Sequence, residues 1–392
     1  MGRPRIVFGM NSLFAIRHLL PEILPMVREL GMEATVIAPV EPGEDPAPAC
    51  HGVPFRAVPM KREIAPLQDL WALWRLWSTL RWIRPAITNM STPKMGFLGG
   101  IAALLARVPH RIYTLRGLRY ETTRSWKRLL LVTCEKIACR CAHQVICISR
   151  SVKETVLREG IVNVEKVVLL GERASEGIHI PDASVERASA TTALRSSLGI
   201  PEGSSVLGFV GRLTRDKGIH QLVDCFRALR SEGRDVHLLL LGDFESGDPV
   251  DADMTSWIRT CPQVHWCGYV PDSAPYYPLM DVFLFPTFRE GHGKVLLEAA
   301  LAGKPAISSR VTGVIDVIVD GVTGILVPAG DSEALARAAR RLLEDPALAA
   351  RMGEAARKLV CEHFDNRVYL SRLGSMLQSL AFPEPVAAGF GK

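Results

Sequence analysis

The stretch DVFLFPTFREGHGKVLLEAALAG (Asp281–Gly303) decides the fold of the part of the chain around it. DVFLFPT is rich in apolar and aromatic residues and predicts a buried strand over 281–287. GKVLLEAALAG has the apolar spacing of a helix. The loop between them, TFREGHG, holds two glycines, which permit unusual backbone angles and let backbone N–H groups approach a ligand closely. A strand that passes through such a loop into a helix is half of a βαβ unit.

The same alternation of short β-rich runs and amphipathic stretches extends along the chain. In the front half it predicts strands at 5–10, 33–39, 55–60, 86–91, 111–117 and 144–149, and helices at 16–30, 66–82, 93–107, 124–142 and 150–159. In the back half it predicts strands at 206–211, 236–243, 264–270, 281–287, 305–310 and 324–328, with helices between them and at 331–345, 347–364 and 366–381. This order predicts right-handed βαβ units and parallel sheets, and therefore the α/β class.

The length of 392 residues also favours two domains over one. We expect a first Rossmann-like domain over 1–175, a linker rich in Ala, Ser, Pro and charge over 176–203, and a second Rossmann-like domain over 204–365. The helix at 366–381 is expected to pack back onto the first domain. Two doubly wound domains that face one another would leave a cleft at the carboxyl ends of their strands, where open α/β sheets bind ligands.

Composition narrows the class of protein. Hydrophobic residues make up 48% and charged residues 22%, as in a soluble globular protein. No apolar run reaches the roughly 18 residues of a spanning helix, and the N-terminus lacks the regions of a signal peptide, so we expect a cytoplasmic protein. The nine cysteines include no CxxC pair, which favours reduced thiols over a zinc site.

Charge is unevenly spread along the chain. The net charge is +6, but residues 1–200 hold 27 Lys and Arg against 17 Asp and Glu, whereas the remainder holds 20 against 24. A basic front half suggests an anionic partner, either a phosphate-bearing substrate or a membrane surface. The basic residues are dispersed and the back half is acidic, so nucleic acid is not expected as a partner.

Gly291 and Gly293 lie where the loop of the opening stretch enters the helix. The first N–H groups of a helix have no internal partner and carry the positive end of its dipole, so this is a predicted anion site. Glu290 precedes the helix and Glu298 lies in its second turn. Carboxylates repel phosphate but accept hydrogen bonds from hydroxyl groups, which a ribose and a hexose both offer.

A second stretch, GFVGRLTRDKGIHQL (208–222), supplies cations. It predicts a strand, a turn that carries Arg212 and Lys217, and a helix that begins near Gly218. Neighbouring strand ends would bring these two side chains to the anion site, where they could neutralise the charge of a departing diphosphate.

The two stretches together resemble the retaining glycosyltransferase family 4, which has the GT-B fold of two facing Rossmann-like domains. GFVGRLTRDKG, LLLLGDFESGDP, CGYVPD, MDVFLFPTFREG, LLEAALAGKPAIS and VIVDGVTGILVPAGD resemble its C-terminal domain. STPKMGFLGGIAALLARVPHRIYTLRGLRYETT in the front half is similar to its bacterial capsule and exopolysaccharide branch, which transfers sugars to lipid-linked acceptors. The resemblance covers nearly the whole chain.

The resemblance implies a hexosyltransferase that uses a nucleotide sugar, UDP-linked by preference, and no other cofactor. Arg212 and Lys217 would bind the diphosphate, Glu290 would face the transferred sugar and Glu298 would hold the ribose. The catalytic residues would be Arg212, Lys217 and Glu290. The donor-binding residues would be Gly9, Arg212, Lys217, Glu290, Gly291, His292, Gly293, Lys294, Val295 and Glu298.

The implied chemistry is transfer with retention, in which the nucleoside diphosphate departs and the acceptor hydroxyl attacks from the same face. The protein supplies electrostatic stabilisation and orientation rather than a nucleophile. No metal is expected, because no cluster of His, Asp and Glu has suitable spacing. Asp251 and Asp253 spell a DxD pattern, but they lie at a predicted helix start, where capping and solvated charge explain them.

Some positions depart from the family pattern. His292 stands where the family has Phe, the linker lacks the usual Asn-Gly-Val-Asp run, and Ser91 stands where this branch often has His. His292 either packs in the interior or contacts the donor sugar. The candidate acceptor-binding residues in the front half are Lys94, Arg116, Arg119 and Glu121, and surface charge is the alternative for each.

The segment LQDLWALWRLWSTLRWIRP (67–85) joins tryptophans to arginines. At helical spacing, Leu70, Leu73, Trp77 and Leu80 form one face that should be core. Trp71, Trp74 and Trp82 fall partly off that face. Two interpretations stay open: a peripheral contact with the inner membrane, or a helix with a thick apolar side.

Several functions remain open at this point. The first is transfer of a hexose or N-acetylhexosamine to a lipid-diphosphate-linked saccharide in polysaccharide biosynthesis, at the cytoplasmic face of the membrane. The second is the same transfer to a soluble small molecule such as a natural product. The third class is a nucleotide-sugar 2-epimerase or a non-catalytic sugar-nucleotide binder, since one fold hosts many functions.

Overall fold

The computed structural model describes residues 2–61, 65–181 and 188–383. The chain divides into two compact units. The first unit comprises the described residues of Met1–Ile148, Val152–Leu170 and Arg367–Lys392, and the second comprises those of Ser149–Ser151 and Gly171–Asn366.

The first unit is built on a seven-stranded parallel sheet in the order β3-β2-β1-β4-β5-β6-β7. Its strands are β1 (Arg5–Gly9), β2 (Glu33–Ala38), β3 (Phe55–Ala57), β4 (Ile87–Ser91), β5 (His110–Leu115), β6 (Gln144–Cys147) and β7 (Val167–Val168). The helices before residue 170 are α1 (Leu13–Leu19), α2 (Ile23–Glu29), α3 (Pro66–Ile83), α4 (Pro93–Leu105), α5 (Ser125–Cys141) and α6 (Arg150–Arg158). The strand order reverses direction between β1 and β4, as in doubly wound sheets.

The second unit has a six-stranded parallel sheet in the order β10-β9-β8-β11-β12-β13. Its strands are β8 (Ser205–Val210), β9 (Val236–Leu241), β10 (Val264–Trp266), β11 (Val282–Phe285), β12 (Ala306–Ser309) and β13 (Gly324–Val327). The helices after residue 187 are α7 (Ala188–Ser197), α8 (Ile219–Ser231), α9 (Ala252–Thr260), α10 (Lys294–Leu301), α11 (Ser332–Glu344), α12 (Pro346–His363) and α13 (Asn366–Ala381). The central strands β8, β9 and β11 are almost wholly buried, as their continuous apolar runs require.

Helix α13 returns the end of the chain to the first unit. Tyr369, Leu373 and Leu377 are buried in the same apolar cluster as residues of β1 and α2. Gly374 lies close to Met26 of α2, since a Cβ at this position would come within 3.3 Å of the Met26 sulfur. The first unit therefore contains residues from both ends of the sequence.

The α/β class and the two parallel-sheet, doubly wound domains predicted from the sequence are confirmed. The predicted helix at 16–30 is wrong as a single element, because it is two helices, α1 and α2. Pro21 lies between them, and proline cannot continue a helix. Strand β7, only two residues long, was not predicted.

The predicted core face of α3 is also wrong in part. The buried residues are Ala72, Leu76, Leu80 and Ile83, whereas Leu70 and Trp77 are 65% and 36% exposed. The helix carries apolar residues almost all round, so periodicity alone did not select the buried side. The buried side shares an apolar cluster with residues of α4, such as Met95 and Leu98.

Two absences apply to residues 2–61, 65–181 and 188–383. No helix there is long and apolar enough to span a membrane. No group of three or more His, Cys, Asp and Glu side chains in these ranges could hold a metal ion. The nine cysteines are free thiols, and Cys139, Cys141 and Cys147 are buried on α5 and β6, as reduced structural thiols are expected to be.

Candidate active site

Two loops of the second unit meet at the carboxyl ends of β8 and β11. Gly218, at the start of α8, has a left-handed backbone with φ 74°, and a Cβ there would lie 2.0 Å from the carbonyl oxygen of Pro286. The Phe288 N–H donates to the Asp216 carbonyl over 2.8 Å. The loop after β8 and the loop after β11 are therefore locked together, which brings the two sequence motifs of the second unit to one place.

Lys217 and Glu290 form a short ion pair across these loops. The Lys217 Nζ donates to Glu290 Oε2 over 2.7 Å, and the side chains are 13% and 19% exposed. Lys217 Nζ also lies 5.1 Å from the ring centroid of Phe285, at the end of β11. The sequence predicted both residues as site members but did not predict that they contact one another.

The Glu290 carboxylate is held ionised. Its burial alone would raise its pKa, but the charge and hydrogen bond of Lys217 and the N–H groups of Gly291 and Gly293 outweigh that effect and lower the pKa to about 2. The Gly291 N–H donates to Glu290 Oε1 over 2.9 Å. Glu290 is therefore a hydrogen-bond acceptor at neutral pH and not a proton donor.

Asp216 joins the cationic side chains of the two loops. Arg289 Nη2 lies 2.8 Å from Asp216 Oδ2, and Arg212 Nη2 lies 3.9 Å from it. Burial would raise the pKa of Asp216, but the hydrogen bond from Thr214 and the charges of Lys217, Arg212 and Arg289 lower it to about 2. Asp216 thus links Arg212 of the first loop to Arg289 of the second.

Arg212 also pairs with a residue of the next loop along the sheet. Its Nη1 donates to Glu245 Oε2 over 2.6 Å, and Glu245 follows β9. Both side chains are about one-third exposed, at 33% and 31%. Arg212 is therefore paired with two carboxylates, Asp216 and Glu245, and Lys217 is paired with Glu290.

Helix α10 begins at the same place. Gly293 precedes it with a left-handed backbone, φ 67°. The N–H groups of Lys294 and Val295 have no backbone acceptor within the described part of the chain. They are first-turn donors at the positive end of the helix dipole, as the sequence predicted, and the side chains of Lys294 and Val295 are exposed and half-buried.

Glu298 of α10 accepts hydrogen bonds from two hydroxyl groups. Ser273 and Tyr277 donate to Glu298 Oε2 over 3.1 and 2.8 Å. Tyr277 is buried, and its burial together with the negative charge of Glu298 raises the pKa of the phenol well above 10. Tyr277 therefore stays a neutral donor that orients Glu298.

His292 is buried rather than open to solvent. Its side chain is 7% exposed, and its ring centroid lies 6.0 Å from that of Phe364. Gly291 is packed by Gly313, where a Cβ would lie 2.6 Å from the Gly291 carbonyl carbon. Gly313 and Phe364 thus pack against the loop that carries the candidate sugar-binding residues.

In the first unit, Gly9 ends β1, where the sequence predicted it. A Cβ at Gly9 would lie 2.4 Å from the Met90 sulfur and 3.0 Å from Met95 Cγ. Gly9 therefore packs closely against methionine side chains of β4 and α4, and a larger residue would require these side chains to shift.

The predicted acceptor residues occupy two places in the first unit. Lys94 is the second residue of α4, and its Nζ lies 2.6 Å from Asp69 Oδ1 on α3 and donates to the Lys61 carbonyl over 2.7 Å. Arg116 directly follows β5, and Arg119 and Glu121 lie exposed in a short turn, Arg119–Thr122. Arg116, Arg119 and Glu121 therefore lie in one short segment after β5. Lys94 lies elsewhere, where it pairs with Asp69 of α3.

The two aspartates of the DxD pattern lie at the start of α9, where Asp251 forms ion pairs. Asp251 Oδ1 pairs with Arg215 over 2.5 Å, and Oδ2 lies 2.9 Å from His220 Nε2. Asp251 precedes α9 and Asp253 lies in its first turn. A role in surface ion pairing accounts for Asp251.

Sequence reasoning missed Asp216, Glu245, Tyr277 and Arg289. Asp216 and Arg289 stand beside predicted residues, so adjacency could have suggested them. Glu245 and Tyr277 lie 33 and 21 residues from the partners that they bind, Arg212 and Glu298, and only the packing of separate loops unites them.

Comparison with known proteins identifies the family of the chain. The family "Glycosyl transferases group 1" matches residues 190–359, and the "Glycosyl transferase 4-like domain" matches residues 20–171. A capsular polysaccharide biosynthesis glycosyltransferase of Staphylococcus aureus is 36% identical over 81% of this chain and 83% of its own length. The chain belongs to the group 1 glycosyl transferases, and it is a glycosyltransferase.

Two further relatives act on different acceptors by name. The 2-deoxystreptamine glucosyltransferase of Streptomyces kanamyceticus is 29% identical over 68% of this chain and 69% of its own. The UDP-Gal:alpha-D-GlcNAc-diphosphoundecaprenol alpha-1,3-galactosyltransferase of Escherichia coli is 25% identical over 73% of this chain and 74% of its own.

Among solved structures, Anabaena HepE in complex with UDP-glucose has a TM-score of 0.78 at 22% identity, over 96% of this chain and 99% of that one. This likeness shows the GT-B fold that the sequence predicted.

Proposed function

We propose that this protein transfers a hexose or N-acetylhexosamine, with retention, from a UDP-linked sugar to a hydroxyl group of a lipid-diphosphate-linked saccharide. The observation that carries the proposal is the Lys217–Glu290 pair beside the start of α10. The two loops thus bring together a cation that can bind phosphate, Lys217, and a carboxylate that can accept from sugar hydroxyls, Glu290. The first-turn N–H donors of α10 lie beside them.

The donor diphosphate would bind to the cations whose charge the carboxylates now neutralise. Arg212 and Lys217 would bind its oxygens, with the N–H groups of Lys294 and Val295 on the distal phosphate. Glu290, released from part of its bond to Lys217, would accept from hydroxyl groups of the transferred sugar. Glu298, oriented by Tyr277, would accept from the ribose hydroxyls.

These roles call for no nucleophile in the protein. Glu290 has a pKa of about 2, so it stays ionised and cannot serve as an acid. The cations would stabilise the charge that develops on the leaving diphosphate, and the diphosphate would accept the proton of the attacking hydroxyl. No metal enters this scheme, and we expect full activity in the presence of a chelator.

UDP is the proposed nucleotide because the HepE structure of the same fold contains UDP-glucose. A lipid-linked acceptor is proposed because one relative is named for a diphosphoundecaprenol substrate and another for capsular polysaccharide biosynthesis.

Helix α3 supplies a means of reaching such an acceptor at the cytoplasmic face of a membrane. Trp71, Trp74 and Trp82 are 48%, 54% and 68% exposed, and arginines stack on two of them. Exposed tryptophans interleaved with arginines are typical of an interfacial contact with anionic lipid. We propose that this face makes a peripheral contact with the membrane.

Product formation tests the proposal. Purified protein is incubated with UDP-glucose, UDP-galactose and their N-acetylated counterparts, each with a synthetic polyprenyl-diphosphate saccharide, and UDP release and the glycolipid product are followed. We expect one donor to give a product whose new linkage has the anomeric configuration of the donor by NMR. A product of opposite configuration would overturn retention.

Matched acceptors separate the alternatives. Transfer to 2-deoxystreptamine or another soluble alcohol, without transfer to the polyprenyl-diphosphate saccharide, would replace the lipid-linked acceptor by a soluble one. Conversion of the donor to its 2-epimer without any acceptor would replace transfer itself.

A further inference from the structure

A concave site of about 520 Å³ lies in the first unit, and none of the candidate donor-binding or acceptor-binding residues lines it. Its volume falls in the range of roughly 300–1,000 Å³ that is usual for small-ligand pockets. Its walls hold no carboxylate. Its basic residues are Arg3, Arg5, Arg81, Arg84 and Arg107.

The site lies at the amino ends of the central strands. Pro4, Pro85 and Pro109 line it, and they stand immediately before or within two residues of the starts of β1, β4 and β5. Gly9 and Arg116 belong to the opposite, carboxyl ends of those strands. The arginine site is therefore distinct from the predicted donor and acceptor residues of this unit.

Two of the five arginines occupy left-handed backbone positions. Arg84 follows α3 with φ 49°, and Arg107 follows α4 with φ 57°. This conformation favours glycine, because a Cβ is strained there. The chain does use glycine two residues beyond the ends of five other helices: Gly31, Gly160, Gly199, Gly233 and Gly303.

The five guanidinium groups have no carboxylate partner within 4 Å among the residues described. Arginine stays charged at any physiological pH, so these five side chains form a permanently positive cluster that no carboxylate neutralises. All five arginines are exposed. Like charges held together repel, and an anion between them removes that repulsion.

We propose that this arginine pocket binds a phosphate-bearing ligand, at a second anion site that is separate from the donor site. Guanidinium groups contact phosphate oxygens in a bidentate manner, and several of them around one cavity suit a ligand with more than one negative charge. The phosphate could belong to a soluble diphosphate or to the headgroup of an anionic lipid. The second source is favoured by position, because Arg81 of the pocket adjoins the exposed Trp82 of α3.

The left-handed arginines allow a test that spares the fold. Arg84→Gly with Arg107→Gly removes two charges and places glycine where the backbone prefers it, so the thermal midpoint should stay the same or rise. Arg351→Ala with Arg357→Ala, on the exposed face of α12, removes the same net charge elsewhere and serves as the control. All proteins carry Arg212→Ala and Lys217→Ala, so that the two cations proposed to bind the donor diphosphate are absent.

The probes are inorganic pyrophosphate, by isothermal titration calorimetry, and vesicles of phosphatidylcholine with or without phosphatidylglycerol, by sedimentation. We expect the pocket variant to lose at least about tenfold in affinity for one probe, while the control variant keeps it. Loss of pyrophosphate binding identifies a soluble ligand; loss confined to phosphatidylglycerol vesicles identifies a headgroup. Equal behaviour of the pocket and control variants with both probes, or no binding of either probe, would overturn the proposal. None of these readouts depends on glycosyl transfer.

Discussion

At the scale of single residues, the Glu290 carboxylate combines low pKa with an ion pair to Lys217. Its folded pKa, about 2, is below its usual 4.5. The interactions of the ionised carboxylate with Lys217 and with the Gly291 and Gly293 N–H groups therefore stabilise the fold above about pH 4.5, by roughly 3 kcal/mol, and this contribution is lost as the pH falls towards 2.

Urea unfolding at several pH values checks this contribution. We expect wild type to be more stable than Glu290→Gln at pH 7 and the gap to close as the pH is lowered from 5 to 2.5. A gap that stays constant over this range would show that the ionised carboxylate does not stabilise the fold.

Lys217 gives a second prediction at this scale. Lys217→Ala removes a cation placed to stabilise the leaving diphosphate, and we expect kcat to fall by about 10²–10³-fold. Lys358→Ala, on the exposed surface of α12, removes the same charge and should leave kcat unchanged. Equal kcat values in the two variants, measured by UDP release, would exclude Lys217 from the reaction.

At the scale of elements, the contact between the loops after β8 and β11 positions the site. Gly218→Ala places a Cβ 2.0 Å from the Pro286 carbonyl oxygen in a left-handed backbone, and we expect it to destabilise the protein by more than about 2 kcal/mol and to weaken UDP binding. Gly233→Ala has the same backbone, φ 78°, but open space around it, and should cost only about 1 kcal/mol with UDP binding retained. Similar losses in both variants would refute the close contact.

Helix α3 allows the observed and the expected core faces to be compared directly. Leu76 is fully buried and Leu70 is 65% exposed. We expect Leu76→Ala to lower the free energy of unfolding by about 2–4 kcal/mol and Leu70→Ala to change it by less than about 0.5 kcal/mol. The reverse order, measured by urea unfolding, would restore the face that periodicity predicted.

The elements themselves could be predicted well and their packing less so. Strand runs such as VHLLLL at 236–241 are apolar, short and bounded by turns, so composition alone identifies them. The face of α3 could not be identified, because leucine and tryptophan lie on every side of it and only the neighbouring helix selects which is buried. Ion pairs such as Arg212–Glu245 depend on the conformations of two loops, on which local sequence carries little information.

At the scale of the whole molecule, the end of the chain belongs to the first unit. Leu373 of α13 is fully buried in that unit's core. Leu373→Ala should lower the stability of the first unit by about 2–5 kcal/mol and increase hydrogen exchange in β1 and β2. Faster exchange in β8 and β9 instead would contradict the assignment of α13 to the first unit.

The order of motifs along the chain identified the glycosyltransferase class, because Arg212 and Lys217 follow β8, whereas Glu290 and Glu298 follow β11, its neighbour in the sheet. The particular sugar and acceptor depend on pocket contacts that these motifs share with relatives of different specificity. Sequence therefore indicated the chemistry more closely than the substrate.

We propose that the second unit binds uridine diphosphate through Lys217 and Arg212. Isothermal titration of the intact protein with UDP, GDP, dTDP and ADP tests it most directly, with Lys217→Ala and Arg212→Ala beside the Lys358→Ala control. We expect UDP to bind most tightly, at least about tenfold more weakly to the first two variants, and equally well to the control. Undiminished UDP binding in Lys217→Ala and Arg212→Ala, or no binding to wild type, would contradict the account.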